Sequence, residues 1–300
     1  MDTQTIPAPA ARAAEIARPV VDPKTKRKIG LSVLQILLTI LLISFLIPAI
    51  WMVSSSLKVS NEVFAHPIVW IPKSPQWQNY VKIFSVLPFG KFIWNTIVVT
   101  GLAVLGTVVS SLMVGYSFSR LNWPGKRLFF ALMISTMFLP EVITLIPRFL
   151  IFRQLDWIDT FYPLIVPYWM GATALYIFLV HQFFRGLPIE LEEAALIDGA
   201  SRIQILVHVL LPLSKPVIAS VAIFALIQHY NSFLEPLIYL NSMDNWTLAL
   251  GIRAINDSNV MNWELVFAAG TLMLAPVLVL FVIAQRFFVQ GIAMTGFGGR

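Results

Sequence analysis

The strongest constraint on this chain is a set of six predominantly apolar runs, at about residues 29–53, 92–117, 128–148, 161–184, 213–240 and 264–288. Each reaches the ~20 residues that an α-helix needs to cross the hydrocarbon core of a bilayer. A backbone in lipid must satisfy its own hydrogen bonds, so runs of this length read as helices. The short alternating segments of a transmembrane barrel are not seen. The reading is an all-α, polytopic membrane protein with six transmembrane helices. Composition agrees, with 58% of residues hydrophobic and 12% charged, against roughly half apolar and a quarter charged in soluble domains. The chain has no cysteine, which excludes disulfides, thiol chemistry and thiolate metal sites.

Residues 1–28 are rich in Ala, Pro and charge and end in Lys24, Lys26, Arg27 and Lys28. They read as a disordered cytoplasmic tail. The run that follows is too long for the core of a secretory signal, and no small-residue cleavage site follows it. It reads as the first span. Six spans place both termini on one side, and the Lys and Arg residues favour that side by about two to one, which puts the termini in the cytoplasm. The membrane domain then covers residues 29–289, with a cytoplasmic tail at 290–300.

One stretch breaks the apolar pattern. Residues 185–216, RGLPIELEEAALIDGASRIQILVHVLLPLSKP, concentrate charge between the fourth and fifth spans, on the cytoplasmic side. Leu191-Glu192-Glu193-Ala194-Ala195 is made of good helix formers, and Gly199 is a helix stop. Ser201 can cap a second helix, in which Ile203, Leu206, Val207 and Leu210 recur at helical spacing up to Pro212. An ordinary connection is shorter, at a median of ~4–6 residues. The bland alternative is a solvated loop.

Glu193-Ala194-Ala195, then Gly199, then Val209-Leu210-Leu211-Pro212 resembles the EAA motif of ABC importer permeases. The fuller PIELEEAALIDGAS is similar to the form found in carbohydrate importers of the maltose-transporter permease type. Weaker matches in the same order are Ser56-Leu57-Lys58, Asn79-Tyr80, Phe118-Ser119-Arg120 with Pro124-Gly125, Leu139-Pro140, and Gln285-Arg286-Phe287-Phe288-Val289-Gln290-Gly291. The chain departs from the family pattern at His229-Tyr230-Asn231-Ser232-Phe233, where Trp-Asn-Asp-Phe is common, and at its Gly296–Arg300 end.

The resemblance implies a type I ABC importer fold with a cytoplasmic coupling helix between the fourth and fifth spans. It implies that Glu192, Glu193, Ala194, Ala195, Asp198 and Gly199 couple the chain to an ATPase. The implied partners are a second, unlike permease, two ATP-binding subunits, an extracytoplasmic solute-binding protein and membrane lipid. No cofactor is expected on this chain; ATP with magnesium belongs to the partner subunits. The implied solute is a sugar or oligosaccharide, with acidic ones such as alginate-type oligosaccharides included.

Polar residues inside spans are costly and often functional. On that ground Glu141, Tyr230, Asn231 and Glu235 are candidates for the solute path, the alternative being satisfaction by proline-freed backbone or a neighbouring helix. No phosphate-binding Gly-rich loop, HExxH pair or serine elbow is present, so ATP hydrolysis and hydrolase chemistry have no motif here. The chain reads as a non-catalytic subunit. The rival reading, a secondary transporter driven by an ion gradient, calls for repeated halves around a midplane site.

Overall fold

The computed structural model describes residues 23–171, 173–257 and 262–296, with the side chains of residues 23–30, 141, 256–257, 280–281 and 283–296 left aside. Residues 1–22 and 297–300, assigned above to the two tails, lie outside the described residues. Every regular element among the described residues is helical. Backbone contacts divide the chain into two units, Met1–Trp51 and Met52–Arg300.

The first unit consists, where described, of helix α1 (Pro23–Ser56), whose last residues pass into the second. Proline suits a helix start because the N–H it lacks would have no intrahelical partner. The stretch Leu31–Ser56 has a mean hydropathy of 2.7, and its side chains from Leu31 to Ile47 are exposed. A helix that is apolar all round is made for lipid.

The second unit opens with the short α2 (Ser60–Val63) and α3 (Gln78–Val86), followed by α4 (Phe89–Arg120), α5 (Lys126–Thr136) and α6 (Glu141–Gln154). Next come α7 (Tyr162–Trp169), α8 (Ala174–Arg185), α9 (Glu190–Ile197) and α10 (Arg202–Gln204). A π-helical turn, Ile205–Leu210, leads through α11 (Leu211–Leu213) into α12 (Lys215–Tyr230). The chain ends with α13 (Leu234–Tyr239), a 3-10 turn at Met243–Asn245, α14 (Leu248–Asp257) and α15 (Trp263–Gly296).

Helix α4 is the centre of this unit. It packs most extensively against α8, then against α7 and α12. Small and hydroxyl residues allow the close approach, as is usual where helices meet in lipid. A Cβ on Gly115 would lie 2.7 Å from Val180 Cγ1, and one on Gly251 of α14 would lie 2.2 Å from the Phe92 ring. One apolar cluster, including Leu112, Tyr116, Val180, Phe184, Ile205, Leu210 and Val221, joins α4, α8, the π turn and α12. A second, including Phe89, Phe92, Leu248 and Ala268, joins α4 to α14 and α15.

Among the described residues, three helical segments are long and apolar enough to cross a membrane, Leu31–Ser56, Phe89–Arg120 and Tyr162–Arg185. A fourth crossing follows if Arg202–Leu213 and Lys215–Tyr230, bent by 79° at their junction, form one span. The expected runs at 128–148 and 213–240 are broken. Pro140 stands between α5 and α6, and Asn231–Phe233 stand between α12 and α13. Proline removes a backbone donor and clashes with the preceding turn, so an apolar run need not be one straight helix.

Candidate functional site

Two polar assemblies stand out against the apolar background, one on the polar loop and one inside the helix cluster around α4. The loop forms because its local signals agree. Helix α9 carries Glu190, Glu192 and Glu193 in its first turn, where the helix dipole favours negative charge. Gly199 follows with φ +81, a left-handed conformation natural to glycine, and a Cβ there would meet open space. The backbone, not crowding, demands glycine at this position. Ser201 then makes a full capping box: its hydroxyl accepts from Gln204 N–H, and the Gln204 side chain accepts from Ser201 N–H.

The amphipathic stripe expected from Ser201 onward is set differently. Ile205 and Leu210 are buried, while Ile203 and Val207 are exposed. A π turn brings residues i and i+5 to one side. That spacing fits Ile205 and Leu210.

The six coupling candidates divide by burial. Glu193, Ala194, Asp198 and Gly199 are exposed, and Ala195 is half-buried against the apolar cluster. Beside them lie Leu196 and Ile197, the latter 86% exposed, and Ile203 is 75% exposed. Glu192 points the other way, with 2% of its surface exposed. Its Oε1 is 3.0 Å from Arg120 Nε, and its Oε2 is 4.0 Å from Arg202 Nη1. The Arg120 contact is an ion pair whose N–H direction misses hydrogen-bond alignment. Arg120 also donates through Nη2 to the carbonyls of Phe184 and Leu187, and Tyr116 donates to the Arg202 carbonyl at 3.3 Å.

The second assembly is a small chamber lined by Thr96, Thr100, His229, Tyr230, Ser232, Glu235 and Thr247 among others. Glu235 is buried, with Arg148 Nη1 at 3.1 Å from Oε1 and Tyr168 donating to Oε2 at 3.0 Å. His229 lies 4.2 Å from the Tyr168 ring in an edge-on contact and 3.4 Å from Thr107 Oγ1. Tyr230 also lines the chamber, but its hydroxyl donates to Met273 O on α15. Asn231 is exposed and donates back to Ile227 O, closing the end of its own helix. Of the four solute-path candidates, Tyr230 and Glu235 are thus brought together and Asn231 is not among the lining. The Glu141 side chain lies outside the described residues.

Sequence reasoning missed Thr96, Thr100, Arg148 and Tyr168. The signal for the threonines was present: Thr96, Thr100 and Thr107 recur on one face of α4. The partners Arg148 and Tyr168 lie too far along the chain from Glu235 for spacing to reveal them.

Outside the chamber, Asp159 acts as a clasp. With φ +63, it accepts from the backbone N–H of Asn241 and Ser242, from the Ser242 hydroxyl and from Asn245 Nδ2. Burial by itself would raise this carboxyl, and the hydrogen bonds outweigh it and hold the pKa below the usual carboxylate value. A depressed carboxyl pKa stabilises above the unfolded value of ~3.9 and loses that effect as pH falls through the lower folded value. The clasp is expected to hold from about pH 8 to about pH 5 and to open only in stronger acid. Hydrogen-exchange protection factors at the Asn241 and Ser242 amides, taken against the intrinsic rate at each pH, test this; protection that is lost near neutral pH would contradict it. Asp159→Ala is expected to lower that protection wherever the clasp holds, from about pH 8 to about pH 5, and to have little effect in stronger acid.

Comparison with known proteins agrees with this architecture. The family described as "Binding-protein-dependent transport system inner membrane component" matches residues 106–294. The sulfoquinovosyl glycerol transport system permease protein of Agrobacterium fabrum is 33% identical, over 87% of this chain and 92% of that protein. The diacetylchitobiose uptake system permease protein of Streptomyces coelicolor is 30% identical, over 80% of each. A bacterial ABC transporter involved in import of the acidic polysaccharide alginate contains a chain of similar structure, with a TM-score of 0.78 and 25% identity. The match covers 88% of this chain and 98% of that one. The family match over residues 106–294 takes in the second half of α4, the polar loop, α12, α13 and most of α15, and on that extent the chain belongs to the family of binding-protein-dependent transport system inner membrane components.

Proposed function

We propose that this chain is one of two unlike permease subunits of an ATP-driven importer, crossing the bacterial inner membrane six times with both termini in the cytoplasm. The loop 185–216 is its handle. Two ATPase subunits, holding ATP and magnesium, close on each other and carry the handle with them, and the spans alternate the solute cavity between the two sides. A solute-binding protein delivers the solute from outside. Coupling of this kind requires that ATP and solute favour different states of one bistable element.

The observation that carries this reading is the exposed face of the loop. Glu193, Ala194 and Asp198 lie beside Leu196, Ile197 and Ile203, which are apolar and exposed. Large apolar side chains on a charged, extramembrane element mark an interaction site, and the small Ala194 permits close approach. The solute path follows the chamber, with Tyr230 and Glu235 in its wall; Glu141 and Asn231 are path candidates on their sequence positions alone. A wall bearing Thr, Ser, Tyr and Glu suits a polyhydroxylated solute, in keeping with the sugars, glycosides and polysaccharide named for the relatives. Acidic carbohydrates stand among them.

Because the chain has no native cysteine, single cysteines can be placed cleanly. Ala194→Cys and Ile197→Cys are expected to crosslink to cysteines in the cleft of the co-encoded ATPase subunit, and the yield is expected to change with nucleotide. Absence of any crosslink across a panel of cleft positions would overturn the docking role.

A further inference from the structure

The buried charge cluster on the inner side of the loop has no part in a docking surface. Glu192 is enclosed, Arg120 nearly so, and the two meet at 3.0 Å. A buried ion pair is weak evidence for stability, since an apolar replacement of similar volume is often as good or better. Its presence therefore asks for a role in geometry. Arg120 is the last residue of α4. Through Nη2 it grips the carbonyls of Phe184, in the last turn of α8, and Leu187, in the linker to α9. Through Nε it holds Glu192 in the first turn of α9. Tyr116, one turn earlier on α4, donates to the carbonyl of Arg202, where α10 begins.

The alternative route from the loop into the membrane is along the chain into α12. It is poorly made for transmitting a push, because Arg202–Leu213 and Lys215–Tyr230 meet at 79°. Displacement along one arm of such a bend becomes rotation at the corner. Helix α4, by contrast, is tied to both halves of the loop and packs along α7, α8 and α12.

We propose that Arg120, Glu192 and Arg202 form a rigid joint that delivers movement of the loop to the cytoplasmic end of α4, making α4 the driven helix of this subunit. The proposal rests on the docking reading above. Glu192 and Arg120 are positioning residues: they touch neither ATPase nor solute. Glu192→Gln keeps the side chain's shape and removes its charge, and Arg120→Gln removes the other half.

The test is transport per ATP hydrolysed in the assembled transporter, reconstituted in lipid vesicles with its binding protein. Each single variant is expected to lower this ratio about tenfold, within the usual range of a coupling free energy. The double variant is expected to be no worse than either single, since both break the same joint. The Ile197→Cys crosslink to the ATPase is expected to persist in both. A wild-type ratio in the single variants overturns the joint while leaving docking intact. Loss of the crosslink only in the variants shows that the cluster merely folds the loop, and also overturns it. Failure of the crosslink in the otherwise unaltered chain removes the docking reading instead, and the joint with it.

Should the variants not assemble, spin labels at Glu190→Cys and Met113→Cys report on the native joint. Both positions are exposed. Their separation is expected to stay the same between the nucleotide-free and vanadate-trapped transporter; a changed separation means that loop and α4 move apart, and overturns the proposal.

Discussion

Gly115→Leu is expected to abolish accumulation of the folded subunit in the membrane. A Cβ at this position would lie 2.7 Å from Val180 Cγ1, 3.0 Å from Val180 Cβ and 3.2 Å from the backbone nitrogen of His181. Val180 is buried in the cluster that joins α4, α8 and α12, so neither helix can yield without opening that cluster. Overpacking by a few methylenes costs about 1–3 kcal/mol in cores that can relax. Here part of the obstacle is backbone, and leucine adds three carbons beyond Cβ. The resulting loss is comparable to a typical total stability of ~5–15 kcal/mol. Gly115→Ala is expected to assemble with a lowered melting temperature. Gly101→Ala is the control, since nothing lies within 4 Å of its added Cβ, and alanine is the better helix former by about 1 kcal/mol. Yield and melting temperature in mild detergent would decide; a Gly115→Leu subunit that melts like the wild type would refute the close α4–α8 approach.

The polar loop beside α4 shows what could and could not be read from the sequence. Features set by adjacent residues were legible. Gly199 as a stop and Ser201 as a cap are local signals, and the structure gives the first φ +81 and the second a complete capping box. Apolar length was legible in part, because a bilayer imposes a minimum on it and Leu31–Ser56, Phe89–Arg120 and Tyr162–Arg185 meet it. What failed was periodicity over a few residues. Glu192 and Glu193 are neighbours of one type, and which of them faces inward depends on Arg120, at the end of α4, and on Arg202, in the second half of the loop. The stripe at Ile203 and Val207 assumed an α-helical step through Ile205–Leu210, where the backbone takes a π turn. No composition marks such a turn. The broken runs at Pro140 and Asn231–Phe233 fail for a related reason: hydropathy counts residues, whereas spans are limited by where the helix can continue.

The chamber yields the second large effect, and its walls separate stability from transport. Glu235 receives Arg148 and Tyr168, and Glu235→Gln removes the charge that assists both. A hydrogen bond to a charged group is worth about 1.5–3 kcal/mol, and the lower end applies because the Arg148 side chain is 31% exposed. Glu235→Gln is therefore expected to lower the melting temperature and, if the chamber is on the solute path, to reduce uptake severely. The two hydroxyls of Thr100 and Thr247 behave oppositely. Both are buried without a hydrogen-bond partner among the described residues, a situation that costs about 1–3 kcal/mol. Valine has threonine's shape without the hydroxyl, so Thr100→Val is expected to melt at or above the wild-type temperature. Loss of a hydroxyl that meets solute would raise the half-saturating solute concentration about tenfold, the equivalent of ~1.4 kcal/mol. A substitution that stabilises the resting protein and weakens transport is the signature of a polar group kept for a ligand. Unchanged uptake in Thr100→Val, with Glu235→Gln impaired only in proportion to its stability, would make the chamber a packing feature and move the solute path elsewhere.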